Sequence, residues 1–239
     1  MALGMNFNSG GDGDIVPYVK YDSRAGRISR DDRTQSPDGN YGNDIVDITS
    51  SFKAVIDMEN IEIGFFLFTT GAALQMQVVP IGQVMPQKPA GEGWKQGARV
   101  MMKLHKSCGG DVREMSGNAA SFLRGFDELH TAYEAGKAAN PGKLPIVVLK
   151  SAQPVTTGQG ARKSTNYQPV FEITGWAPRP VDLVFVSKAA GHKTELPPAV
   201  GINAAPPSTG STQVSAPTPL PVNTLVPQQA AMADANDFG

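Results

Sequence analysis

Eight prolines fall between positions 197 and 227, and no charged residue occurs from 197 to 233. Proline fixes φ and lacks a backbone N–H, so this stretch can neither propagate a helix nor supply an inner strand. Its Pro, Ala, Ser, Thr, Val and Gln composition buries too little apolar surface to offset the entropy of ordering. The foldable part of the chain is therefore expected to end near Glu195. Three regions follow: a flexible Gly-, Asn- and Asp-rich N-terminus over 1–14, a body over 15–195, and a disordered tail over 196–239. Charge returns only at the tip of the tail, where Asp234, Asp237 and Phe238 form an acidic-aromatic end.

Within the body, glycine and proline punctuate the chain often enough to favour turns and short strands over long helices. Strands are expected over Ile15–Ser23, along the alternating run Ile45–Asp57, and over Ile61–Phe68 and Leu74–Gly82 as a hairpin. Further strands are expected over Ala98–His105, Leu144–Ser151, Pro169–Pro178 and Val181–Ser187. The polar, turn-rich stretches Asp31–Asn43, 83–93 and Gln153–Asn166 read as loops. One helix is predicted from about Gly117 to Ala139, with Ser116 or Asn118 as its cap. Phe122, Phe126, Leu129 and Tyr133 share its apolar face, and Asn140-Pro141-Gly142 stops it. About eight strands and one helix suggest a mainly β fold: an OB-like β-barrel with extra hairpins, its helix plugging one end, with a sandwich fitting nearly as well.

Catalytic signatures are sparse. The single cysteine, Cys108, excludes an intrachain disulfide and a thiolate zinc cluster, and fits a reducing, cytoplasmic setting. No apolar run reaches the length needed to cross a bilayer, so no membrane partner is expected. His105 and Cys108 lack two further zinc ligands, and His130 reads as a packing residue. Asp57, Glu59 and Glu62 lie close enough in sequence to hold a divalent metal, but an acidic strand end is the commoner cause. The expectation is a protein with no enzymatic activity and no cofactor.

Charge is uneven despite a net value of -1. Between Lys88 and Arg113 six basic residues face two acids, and between Lys137 and Arg179 six face one. Aromatics interleave with these cations. Tyr18, Lys20 and Tyr21 precede Arg24 and Arg27; Trp94 and Lys95 precede Arg99 and Lys103; Arg162 and Lys163 precede Tyr167. Cations neutralise phosphates and flat rings stack unpaired bases, so this mixture suits single-stranded nucleic acid. Tyr21 and Tyr41 lie in polar surroundings and suit stacking, whereas Phe65, Phe66 and Phe68 read as core. Trp176 reads as a barrel plug with its indole N–H paired. No helix-turn-helix or long basic helix is present for major-groove reading.

The basic-aromatic body, the low-complexity linker and the DANDFG ending together resemble the single-stranded DNA-binding proteins of bacteriophages. That resemblance implies an oligonucleotide-binding barrel acting in replication or recombination, with single-stranded DNA as ligand. It also implies that Asp234, Asp237 and Phe238 dock a replication or recombination protein and compete with DNA for the basic groove; a homo-oligomer is compatible with it. Two other readings stand beside it. One is a non-catalytic structural or assembly protein with a β-sandwich body and a flexible arm. The other is a divalent-metal enzyme, or its accessory module, built on Asp57, Glu59 and Glu62.

Overall fold

The computed structural model describes residues 17–35, 41–70, 74–157, 160 and 163–189. Ten strands form one mixed sheet: β1 (Tyr18–Asp22), β2 (Arg27–Gln35), β3 (Tyr41–Asp47), β4 (Lys53–Ile56), β5 (Glu62–Leu67), β6 (Gln75–Pro80), β7 (Lys95–Leu104), β8 (Val112–Gly117), β9 (Lys143–Thr157) and β10 (Ser164–Pro178). The helix α1 spans Ala120–Lys137 and leads from β8 into β9. The main path runs β10-β9-β4-β7-β8-β1-β2-β3, and the β5–β6 hairpin branches off β7. All pairs are antiparallel except β1 with β8.

The expected OB-like barrel is not what forms. Among the described residues no ladder joins the two ends of the path, so the sheet is open. Curvature brings the β1–β2 turn against β10, but among the described residues they share a single backbone hydrogen bond, Tyr167 N to Ser23 O at 2.6 Å. Two features keep β10 from accepting a full strand there. Pro169 has no N–H to donate, and α1 lies over this part of β10, with Gly125 meeting the Pro169 carbonyl. The helix packs on one face of the sheet instead of plugging a barrel end.

Both faces of the central strands are apolar, and each is covered. On one side Phe122, Phe126, Leu129 and Tyr133 of α1 join Val19, Ile28, Phe52, Ala54, Ile56, Val100, Met102 and Met115. Their spacing along the helix is what the 3.6-residue period requires. Neither Ser116 nor Asn118 caps α1; Ala119 holds the N-cap position without a side-chain bond. On the other side Val55, Met101, Leu144, Ile146 and Ala177 pack with Leu183 and, partly, Phe185. Each such side chain taken out of water contributes roughly 1.5–3 kcal/mol.

Several local expectations change. Parts of Asp31–Asn43 and Gln153–Asn166 are strands, paired as β2–β3 and β9–β10. These hairpin ends are polar, so their sequence carries no apolar alternation, and the ladder rather than burial sustains them. Conversely, the apolar run Val181–Ser187 reads as a strand yet forms none. Pro180 begins a turn closed by Leu183 N to Pro180 O at 3.1 Å, which carries the chain off the β10 line. The run Ile45–Asp57 is broken by a turn at Thr49–Ser51 into β3 and β4. Residues 1–14 and 196–239 lie outside the described residues.

Candidate functional site

From Arg179 to Ala189 the chain crosses back over the second face of the sheet as a strap. Three sets of charged contacts hold it: Asp57 and Glu59 from the β4–β5 turn, Lys103 from β7, and Glu62 of β5 with Arg99 of β7. At its start, Arg179 donates from Nη1 and Nη2 to the two carboxylate oxygens of buried Asp57, at 2.6 and 2.7 Å, and from Nη2 to Glu59 at 2.9 Å. These bonds, Asp57 first, hold the Arg179 guanidinium more firmly protonated than usual against the opposing effect of burial. In the middle, Lys103 Nζ donates to Asp182. At its end, Glu62 Oε1 accepts from Ser187 Oγ at 2.6 Å, Lys188 N at 2.9 Å and Ala189 N at 3.1 Å. The other Glu62 oxygen accepts from Arg99 Nη1 at 2.6 Å, and the same nitrogen reaches Val186 O at 3.0 Å. Arg99 Nε sits 2.7 Å from Glu114.

This arrangement changes the role of two predicted DNA-contacting cations. Arg99 is 0% exposed and Lys103 9% exposed. They do share a strand face, as β7 alternation requires, but that face lies under the strap and their charges are consumed by Glu62, Glu114 and Asp182. Removing Arg99 from its carboxylates to meet a phosphate would leave Glu62 buried and unpaired. Tyr21 is also buried, stacked on Phe122, with its hydroxyl donating to Tyr167 O, so its ring faces the core and not a base. Burial, then Asp22, pushes its phenol up to about 12.

The remaining predicted residues fall in separate places. Tyr18 and Lys20 alternate outward on β1. Tyr18 donates to Asp31, which together with burial pushes its phenol up to about 12. Arg24 is exposed in the β1–β2 turn, and Arg27 pairs with Asp47 at 3.3 Å. Tyr167 is half-buried beside Gly26, and Lys163 is exposed near the far end of β10. Trp94 and Lys95 lie at the opening of β7, at the β5–β6 branch. The Tyr41 side chain, Arg162, and the tip residues Asp234, Asp237 and Phe238 lie outside the described residues. Among the described residues, Tyr21 meets Tyr167 beside the β1–β2 turn, and Arg99 and Lys103 share the covered face of β7. The expected single-stranded DNA-binding function loses both its supports: the barrel does not form, and the paired cations of β7 are internal.

The three acids proposed for a metal also separate. Asp57 and Glu59 converge on Arg179, while Glu62 turns to Arg99. Among the described residues no group of three or more His, Cys, Asp or Glu is arranged to hold a metal. Near them, a cleft of about 500 Å³ opens between α1 and the β4–β5 corner, lined by Met58, Glu59, His130, Tyr133 and Lys137. Its charges are largely matched: Glu134 pairs with Lys137 at 2.6 Å and with His130 at 3.7 Å. Trp176 packs on Tyr133 and over Gly136, as part of the α1 interface. Phe65 and Phe66 are core as expected, but Phe68 is half-exposed.

Several large apolar side chains also face water. Ile45 on edge strand β3 is 73% exposed, Val84 in the loop after β6 is 91% exposed, and on the strap Val181, Val184 and Val186 are 98%, 57% and 46% exposed. Among the described residues, β3 and β6 pair on one side only. A signal of the strap was present in the sequence: Glu62 is a lone charge in an apolar strand, and VDLVFVS is apolar at both parities. No helix among the described residues is long and apolar enough to cross a membrane. Comparison with known protein families, with curated proteins and with solved structures finds no match.

Proposed function

We propose that this chain is a non-catalytic structural or assembly protein whose β body associates through its uncovered strand edges and strap, with residues 196–239 as its arm. The observation that carries the reading is the group of bare valines on the strap, beside strand edges that are uncovered among the described residues. Arg99 and Lys103 of β7 are spent inside the molecule, while Ile45 stands in water on edge strand β3, Val84 in the loop after β6, and Val181, Val184 and Val186 on the strap. An edge strand with unpaired N–H and C=O groups is a template for another strand, and β3 and β6 each offer one. Isolated exposed apolar residues are ordinary, but their concentration on edges and strap supports an interaction role. The charge-free, proline-rich composition of 197–233 supports a tethering role for the tail.

Sedimentation equilibrium of the full chain over a wide concentration range tests the proposal. A defined oligomer with one stoichiometry is expected. A monomer at every concentration contradicts it.

A further inference from the structure

Residues Asp182–Lys188 read Asp-Leu-Val-Phe-Val-Ser-Lys. The odd-numbered side chains turn toward the body: Leu183 and Phe185 pack on the Met101 and Ile146 face, and Ser187 bonds Glu62. The even-numbered residues Asp182, Val184, Val186 and Lys188 are all exposed. Extended segments that are apolar at both parities belong where both sides are covered. Here one side is covered by the chain itself and the other is bare.

The bare side is self-complementary. Reversed and laid against itself about Phe185, the segment sets Asp182 against Lys188 and Val184 against Val186. We infer that this outward face is a twofold contact on which the strap of a second copy lies antiparallel, in that register. The inference rests on the assembly reading above and names its surface. A twofold contact needs this reciprocity, in which residue i meets j and j meets i. A parallel arrangement would set Asp182 beside Asp182 and Lys188 beside Lys188, which is unfavourable. The charges therefore select the antiparallel orientation. Asp182 has the freedom to serve, because its side chain is 49% exposed even while it bonds Lys103. Among the described residues, Lys188 makes one hydrogen bond, from its backbone N–H to Glu62. Val181, at the exposed turn, extends the apolar stripe at one end. The chain's own residues 197–233 match this face less well, since they carry no charge for either Asp182 or Lys188. A seven-residue contact is smaller than the roughly 800 Å² per partner of a standard stable interface, so association is concentration-dependent.

The test uses full-length chains in a Cys108→Ser background, one carrying Val184→Cys and another Val186→Cys, with copper phenanthroline as oxidant. The mixture should form disulfide-linked dimers about tenfold faster than either chain alone, because the predicted register brings unlike positions together. Lys188→Glu should weaken association about tenfold by opposing Asp182 of the second copy. Equal cross-linking rates in the mixture and in each chain alone would overturn the register, and unchanged association of Lys188→Glu would overturn the contact. Maleimide protection of Val184→Cys that is independent of protein concentration would assign the face to the chain's own tail and also overturn it. A defined oligomer insensitive to all three changes would leave the assembly reading standing without the strap, whereas a monomer throughout removes both.

Discussion

Replacing Arg99 with methionine isolates the ionic centre that fastens the strap. Methionine keeps an unbranched side chain of similar reach but removes the charge. Glu62, also 0% exposed, keeps its three strap donors on Oε1 and loses the guanidinium from Oε2. Glu114 loses its partner as well, and Val186 O loses its donor. Stripping one member from a buried pair costs about 3–5 kcal/mol, because the remaining charge has neither water nor a counterion. With a urea m-value of about 2 kcal/mol/M, the unfolding midpoint should fall by about 1.5–2.5 M. Trp94 and Trp176 report unfolding by fluorescence. The double variant Glu62→Gln/Arg99→Met removes the stranded charge while retaining a group able to accept the strap's hydrogen bonds. It should recover more than half of the loss. A single Arg99→Met change costing less than about 1 kcal/mol, or a double variant weaker than the single, would refute this account of the strap.

Arg179→Leu should cost about 3 kcal/mol, since Asp57 at 0% exposure would retain only Asn60 among its side-chain partners; thermal unfolding reads this, and a loss below about 1 kcal/mol contradicts it. Gly125→Ala should lift α1 from β10, because its Cβ would lie 2.2 Å from Pro169 O; a cost of about 2 kcal/mol or more is expected by urea titration, and a neutral change argues against this close approach. The phenols of Tyr18 and Tyr21, normally near 10.0, are raised to about 12, so the folded state favours their neutral forms. Their contribution to stability is complete below the ordinary value of 10.0 and is lost as pH rises through about 12. Ultraviolet titration should show late phenolate formation that Tyr18→Phe and Tyr21→Phe each diminish; ionisation of both groups at the ordinary value contradicts the two hydroxyl environments.

The strands whose side chains alternate against a covered face were legible in the sequence, and so was the apolar stripe of α1. Phe122, Phe126, Leu129 and Tyr133 announce a helix because their spacing matches one period and no other. The polar hairpin ends were not legible, because a ladder exposed on both sides leaves no pattern in residue type. Sheet closure was not legible either. Strand count is the same for an open sheet and a barrel, and what prevents a closing ladder is local to β10, where Pro169 lacks a donor and Gly125 admits the helix. The sites divided for a related reason. Basic residues near aromatics are read as exposed unless their acids are known, and the acids here come from distant positions: Glu62 for Arg99, Asp182 for Lys103, and Asp57 for Arg179. Long-range pairing of this kind is invisible at the level of sequence neighbours. The strap was visible as an apolar strand, but the turn after Pro180 removes it from the sheet and leaves its outer face bare.

Hydrogen exchange of backbone amides, followed by mass spectrometry at low and high protein concentration, tests the assembly account most directly. Amides of the β3 and β6 edges and of residues 183–187 should exchange more slowly as concentration rises, while those of β4 and β7 stay unchanged. Exchange at the edges and strap that is independent of concentration would contradict it.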